Sequence, residues 1–173
     1  MLTGVCHYTQ GINSSNNMAD YNENKNAKGV SMANQHGHTD ITRQGQLFIC
    51  RPQGGFNMEG AKVYEQYFAQ EISSVIAQPW AVMEVLENFE TAGPDVMKRF
   101  GAQFAWAAMN NCKWLAVVST SPLMTMLVAQ YLAASGLDIQ TFDNESDAMV
   151  WLNGHLSTED TPQVSDMTNT KAG

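Results

Sequence analysis

Short apolar runs alternate with longer stretches of helical periodicity between residues 37 and 154 of this 173-residue chain. In the longer stretches, apolar residues recur every three or four positions, which is the spacing of one helix face, while the shorter runs are typical of buried strands. The pattern predicts the order β-β-α-β-α-β-α-β-α. Because strands that alternate with such helices are joined by right-handed parallel crossovers, we expect an α/β domain. Its sheet should be five-stranded and mostly parallel, with one antiparallel N-terminal strand, and about four helices should cover it.

Local signals predict where three of the helices begin. Asn57 can cap the first helix, Gly93-Pro94-Asp95 places proline in the first turn of the second, and Ser121-Pro122 does so for the third. A short glycine-containing turn at residues 44–46 predicts an opening hairpin.

The two ends of the chain differ from this middle part. Residues 1–36 contain seven asparagines, and residues 155–173 are similarly polar. Neither end offers enough apolar surface to offset the entropy lost when a chain becomes ordered. We therefore expect a disordered arm over 1–36, a folded domain over 37–154 and a disordered tail over 155–173. Met32, directly before the first strand, is an alternative to Met1 as the translation start.

Charge and cysteine content exclude several classes of partner. Nine Lys and Arg against seventeen Asp and Glu give a formal charge of −8, which opposes binding to nucleic acid and purely electrostatic attachment to anionic lipid. Three scattered cysteines signal neither a disulfide framework nor a zinc site. The longest charge-free stretch, 114–137, is interrupted by Ser119–Pro122 and is too short to span a bilayer. We expect a cytoplasmic protein without a transmembrane span, and peripheral membrane contact stays open.

Four segments together resemble the SpoIIAA-like family, also described as the STAS or SEC14 type. They are Gly54–Gly60, Gln78–Ala81, Asn111–Val118, and Ser135–Glu145 followed by Ala148 and Trp151-Leu152. The resemblance covers roughly residues 37–153. It implies the anti-sigma-factor-antagonist fold and two alternative activities, which are phosphorylation-switched binding of a protein partner and binding of a lipid or other hydrophobic ligand.

True antagonists of this kind carry a phosphorylated serine between the third strand and the second helix. The corresponding stretch of this chain, 87–95, has no serine, and Thr91 is its only hydroxyl-bearing residue. Glu87, Glu90 and Asp95 surround this threonine with negative charge, which opposes an added phosphate. Thr91 is thus a candidate phosphoswitch position, but we favour its interpretation as a plain turn or capping residue.

The third predicted helix carries no charge, and apolar side chains occupy most of its circumference. A surface helix of a monomer normally has a polar stripe opposite its buried face. We therefore expect Met124, Val128 and Leu132 to point away from the sheet and to be covered by another helix of the chain, a second copy, a ligand or a lipid surface. The inner face predicted for the second helix turns Trp106 outward, beside Met109.

No catalytic or metal-binding set emerges from the sequence. The four histidines lie at or beyond the edges of the predicted domain, so no Ser/His/Asp or Cys/His set can be assembled. His36, His38 and Asp40 alternate on one strand face, but no fourth ligand follows at a recognised spacing. We expect no enzyme activity, no metal and no cofactor.

The predicted function is non-catalytic binding through an apolar surface or groove on the second and third helices. The predicted partner is a hydrophobic small molecule, a lipid interface or a second copy of the chain as a homodimer. The alternative is a regulatory protein-interaction module that docks a protein partner near Thr91. The residues predicted to form the apolar surface are Phe56, Trp106, Met109, Met124, Val128, Tyr131 and Leu132.

Overall fold

The computed structural model describes residues 34–159, which contain six strands and four helices. In chain order they are β1 (His38–Gln44), β2 (Leu47–Phe56), α1 (Met58–Ile72), β3 (Trp80–Val85), β4 (Phe89–Ala92), α2 (Pro94–Met109), β5 (Cys112–Val118), α3 (Pro122–Leu132), β6 (Asp138–Phe142) and α4 (Glu145–Glu159). Most of the predicted arm, Met32 included, and most of the predicted tail lie outside the described residues. The last helix continues past residue 154, where the sequence predicted the domain to end.

Five strands pair in the order β1-β2-β3-β5-β6, and the sixth, β4, pairs with the end of β2. β1 is antiparallel to β2, and the other pairs are parallel. The predicted α/β class, with its mostly parallel sheet and antiparallel N-terminal strand, is confirmed. The additional strand β4 was not predicted, because two of its four residues are exposed and so short a segment has no apolar alternation of its own.

Successive residues of the central strands point to opposite faces of the sheet, and both sets are apolar. On one face Phe48 and Val82 pack with α1, α2 and α3, and on the other Ile49 and Met83 pack with α4. The three crossovers from β2 to β6 place their helices on the same face because they share one hand and each steps in the same direction across the sheet. α4 follows the last strand and covers the opposite face.

The predicted helix starts are confirmed. The side chain of Asn57 accepts a hydrogen bond from the backbone N–H of Gly60 at 2.9 Å, and the side chain of Ser121 accepts one from the N–H of Met124 at 3.5 Å. Gly93 is the N-cap of α2 and makes no side-chain cap bond. α2 and α3 each follow a strand, so both helices begin at the carboxyl edge of the parallel strands.

α2 and α3 lie side by side and approach closely at Gly101. A Cβ atom on Gly101 would lie 2.6 Å from the carbonyl oxygen of Tyr131. Farther along the helices, a Cβ atom on Gly136 would lie 3.9 Å from that of Ala108. The second contact lies later in the chain than the first on both sides of the pair, so the two helices run in the same direction.

One carboxylic acid lies inside the apolar core beneath these helices. Glu84 of β3 is 6% exposed, and its neighbours on the adjacent strands are Cys50 and Val117. The hydroxyl of Tyr64 donates a hydrogen bond to Oε1 of Glu84 at 2.5 Å. Burial raises the pKa of Glu84, and the hydrogen bonds from Tyr64 and Cys50 offset only part of that rise. The net effect is a pKa of about 7, compared with the ordinary value of 4.5. In the folded protein this acid therefore keeps its proton up to about pH 7.

We predict that Gly101→Ala destabilises the domain by roughly 1–3 kcal/mol, because the new methyl group meets a backbone carbonyl that moves only if α2 and α3 separate. Gly154→Ala is the matched control, since Gly154 lies in α4 with open space where its Cβ would be. The control should gain up to about 1 kcal/mol from helix propensity. Urea unfolding measures the free energy of unfolding of both variants. If Gly101→Ala stabilises the domain as much as Gly154→Ala does, the close contact at Gly101 is contradicted.

We also predict that the free energy of unfolding of the wild type falls, relative to that of Glu84→Gln, as pH rises from 4.5 to about 7. In this window the unfolded chain has released the Glu84 proton and the folded chain has retained it, so rising pH favours unfolding. A shift of this size corresponds to about 3 kcal/mol. Above pH 7 the difference should level off, because both states are then ionised.

Urea unfolding at several pH values measures this difference. Glu71→Gln is the control, because Glu71 is exposed on α1 and its removal should leave the pH dependence of the wild type intact. If Glu84→Gln shows the same fall in stability as the wild type, the buried acid is not its source.

Candidate functional site

Helix α3 carries exposed apolar side chains and no charged residue. Leu123 is 54% exposed and Met126 is 57% exposed. Ala129 and the C-cap residue Ala133 continue the same exposed face, which also contains the exposed, uncharged Gln130. We call Leu123, Met126, Ala129 and Ala133 the α3 apolar face. A surface helix normally presents charged side chains at such positions, and α3 has none.

Three residues predicted for this surface are not part of it. Met124, Val128 and Leu132 are buried, and the last two pack in the core with the sheet and with α1 and α2. The prediction that they point away from the sheet is therefore wrong. Since α3 is apolar on most sides, its sequence pattern does not reveal which stripe meets the sheet. Tyr131 is half-buried, and its carbonyl contacts α2 at Gly101.

Phe56 is also buried and contributes no surface. Its ring packs against those of Phe100, Phe89 and Tyr64, with centroid separations of 5.6, 5.9 and 6.5 Å. The placement of Phe56 in an exposed surface is therefore wrong, because it closes the aromatic core between β2, β4 and α2. The residue follows two glycines at the end of β2.

Trp106 and Met109 face outward, as predicted, with exposed fractions of 38% and 78%. They lie near the C-terminal end of α2, where Ala108 approaches Gly136 beyond the end of α3. Leu123, by contrast, lies in the first turn of α3. The predicted surface over the second and third helices is therefore two groups of side chains near opposite ends of the helix pair.

A small pocket of about 60 Å³ opens beneath α2 and α3. Its walls are mostly apolar, and Glu84 is its acidic residue. The residues that line it are Pro52, Tyr64, Glu84, Leu86, Phe89, Met97, Phe100, Phe104, Val117 and Val128. Sites for drug-sized ligands have volumes of about 300–1,000 Å³, so this pocket has room for only a few atoms.

Thr91 is an exposed residue of strand β4, where it pairs with Gly55 of β2. The favoured interpretation of Thr91 as a turn or capping residue is wrong, because the N-cap of α2 is Gly93. The strand forms here because β2 extends beyond its pairing with β3 and offers β4 a free edge. Thr91 lies three residues before Pro94, the first residue of α2.

Exposed carboxylates lie around Thr91 and the beginning of α2. They are Glu87, Glu90 and Asp95, which we call the acidic edge. Lys98 Nζ lies 3.3 Å from Asp95 Oδ1, and both side chains are largely exposed. Such a surface pair is weak and leaves the acidic edge negative.

Within residues 34–159, no three His, Cys, Asp or Glu side chains are grouped so that they could hold a metal ion. His38 instead contacts Asp40, with Nε2 and Oδ1 3.0 Å apart. None of the helices in this range is both long and apolar enough to cross a bilayer.

Comparisons with solved structures identify the fold. No protein-family model and no curated protein matches the sequence. The crystal structure of an uncharacterised protein with a SpoIIAA-like fold from Shewanella loihica matches with a TM-score of 0.55 and 12% identity, over 72% of this chain and 99% of that chain. The crystal structure of an anti-sigma factor antagonist from Mycobacterium paratuberculosis matches with a TM-score of 0.51 and 12% identity, over 70% of this chain and 97% of that chain. Likenesses at this identity show the fold alone, and the fold of this chain is SpoIIAA-like, as the resemblance in its sequence implied.

Proposed function

We propose that this domain is a regulatory protein-interaction module that binds a protein partner through the α3 apolar face. The observation that carries the proposal is the exposure of Leu123 and Met126, at 54% and 57%, on a helix without a charged residue. Burying such side chains against a partner removes apolar surface from water, at roughly 25 cal/mol per Å². Exposed apolar patches on soluble domains commonly mark interaction sites.

The fold supports the same role at a coarse level. One of the similar solved structures is that of an anti-sigma factor antagonist. We carry only the general role of protein binding from that protein to this chain. Thr91 and the acidic edge lie at or near the start of α2, the helix beside α3.

Binding of a lipid-sized hydrophobic ligand has less support. The side chains predicted to line a groove, including Val128 and Leu132, are packed in the core, and the pocket beneath the helices has a volume of about 60 Å³. A ligand of that size class would need several times this volume.

We predict that a photo-crosslinking amino acid at position 126 captures a protein when the variant is expressed in its native cell. Position 150 is the matched control, because Val150 is 74% exposed but lies on α4, on the opposite face of the sheet. Mass spectrometry of the crosslinked bands identifies what is captured at each position. Capture in equal yield at both positions, or none at 126, would contradict the proposal.

For Thr91, we expect Thr91→Ala and Thr91→Glu to bind a partner captured at position 126 with affinities within about threefold of each other. Both changes should alter the free energy of unfolding by less than about 1 kcal/mol, because the side chain is exposed on a short strand. Titration calorimetry measures the affinities. Loss of binding in Thr91→Glu alone, or phosphorylated Thr91 in protein from the native cell, would instead establish a phosphoswitch.

A further inference from the structure

We propose that the pocket beneath α2 and α3 is a binding site for a small alkylammonium ion of about three non-hydrogen atoms, which pairs with the carboxylate of Glu84. This inference goes beyond the proposed function, because the pocket lies between the sheet and the helices and the α3 apolar face lies outside them. It follows from the acid in the pocket, from the aromatic side chains around that acid and from the size of the space.

The pocket lies toward the carboxyl ends of the parallel strands. Pro52, Glu84 and Val117, which line it, each belong to the second half of their strand. Phe89 of β4 and Met97 in the first turn of α2 line it as well. Ligands of open α/β sheets bind at the carboxyl ends of the strands. The pocket is therefore at the edge of the sheet where proteins of this class hold small molecules.

Glu84 lacks a positive charge to offset its own when it ionises. The titratable groups that face it are Cys50 on the neighbouring strand β2 and Tyr64 on α1, and its neighbour on β5 is Val117. Both titratable groups are neutral, and the described residues of α2, α3 and β4 that line the pocket are apolar. Burial of an unpaired carboxylate is costly, which is why the pKa of Glu84 is raised to about 7. A bound ammonium ion would supply the missing positive charge.

Aromatic side chains surround the same space. Tyr64, Phe89, Phe100 and Phe104 line the pocket, and the rings of Tyr64 and Phe100 meet edge to face with centroids 5.9 Å apart. Aromatic rings attract a cation that lies over them within about 6 Å of the centroid, and more strongly when water is excluded. Because the pocket has a volume of about 60 Å³, an occupant that touches Glu84 also lies close to these rings. The acid and the rings therefore favour the same ligand, a cation that carries apolar atoms.

Other small occupants match these walls less well. A metal ion such as Mg²⁺ needs about six oxygen ligands. Among the described residues that line the pocket, only Glu84 and Tyr64 offer side-chain oxygens. An anion would be repelled by the carboxylate, and a neutral molecule would leave the carboxylate unpaired. An ammonium group with one or two carbons offers hydrogen bonds to the carboxylate and apolar surface to the rings.

Binding of such a cation requires Glu84 to be ionised. Since the pKa of Glu84 is about 7, the carboxyl group of the free protein carries a proton at lower pH, and the ligand must displace that proton. The affinity should therefore rise about tenfold per pH unit up to about pH 7 and then level off. The ligand itself keeps its charge over this range, because an alkylammonium group loses its proton only near pH ~10.

Titration of the ¹⁵N-labelled full chain with ethylammonium chloride, followed by NMR chemical shifts, tests this inference. Ethanol is the matched neutral ligand, since it has the same number of non-hydrogen atoms, and sodium chloride at equal ionic strength controls for salt. At about pH 8 we expect ethylammonium to bind with a millimolar dissociation constant, the limit for so few atoms, and ethanol at least about tenfold more weakly. At about pH 6 the affinity for ethylammonium should be about tenfold lower, and that for ethanol unchanged.

Two matched pairs of variants locate the site. Glu84→Gln should lower the affinity for ethylammonium at least about tenfold and remove its pH dependence, whereas Glu71→Gln, the same change at an exposed position of α1, should alter neither. Phe100→Leu should lower the affinity about threefold or more, whereas Phe142→Leu, which removes a half-buried ring on the opposite face of the sheet, should not. Circular dichroism checks that each variant folds.

A measurement on the wild type does not depend on the folding of Glu84→Gln. In protein labelled with ¹³C at the glutamate carboxyl groups, the signal of Glu84 should report a pKa of about 7. Saturating ethylammonium should lower this pKa, because the cation binds only the ionised form, and ethanol should leave it unchanged.

Three results would overturn the inference. If ethanol binds as tightly as ethylammonium, the pocket selects apolar atoms and not charge. If the affinity for ethylammonium is the same at both pH values and ethylammonium leaves the pKa of Glu84 unchanged, this carboxylate does not hold the cation. If ethylammonium shifts no signal of a residue that lines the pocket, the pocket takes no alkylammonium ion. None of these results bears on the α3 apolar face, whose partner is tested by crosslinking at position 126.

Discussion

The shared hand and shared direction of the three crossovers are the constraint on which the rest of this structure depends. Together they place α1, α2 and α3 in a row on one face of the sheet. α2 is held from both sides, by the ion pair of its Arg99 with Glu65 of α1 and by the contact of its Gly101 with Tyr131 of α3. α3 is the last helix of the row, so it has a neighbouring helix on one side only. An apolar helix in that position exposes apolar side chains whichever stripe it turns to the sheet.

The buried acid and the α3 apolar face are separate features of the molecule. Glu84 lies on the sheet face beneath the helices, bonded to Tyr64 and next to Cys50, and its environment keeps the carboxyl group protonated up to about pH 7. A neutral carboxyl group with hydrogen-bond partners costs far less to bury than a charged one. Its effect is on the stability of the core, whereas the proposed partner meets only the outside of α3.

Much of the fold could be predicted because the signals that define it are local. The caps at Asn57 and Ser121 depend on residues within three positions of each other, and the alternation of strands and helices follows from runs of apolar residues. Strand β4 and the setting of Thr91 could not be predicted in the same way. Four half-polar residues become a strand only because β2, more than thirty residues earlier, leaves an edge free.

The sequence by itself determined that α3 is uncharged and apolar over most of its circumference. Only one stripe of such a helix can pack on the sheet, so other apolar side chains are left exposed unless a partner binds them. It also determined that Trp106 and Met109 face away from the sheet, because α2 has one clear apolar face. Only the tertiary structure decided that Val128 and Leu132 are inside and Leu123 is outside. A helix that is apolar nearly all round has no preferred orientation of its own, so its rotation is set by the side chains of the sheet and by the close approach to α2 at Gly101.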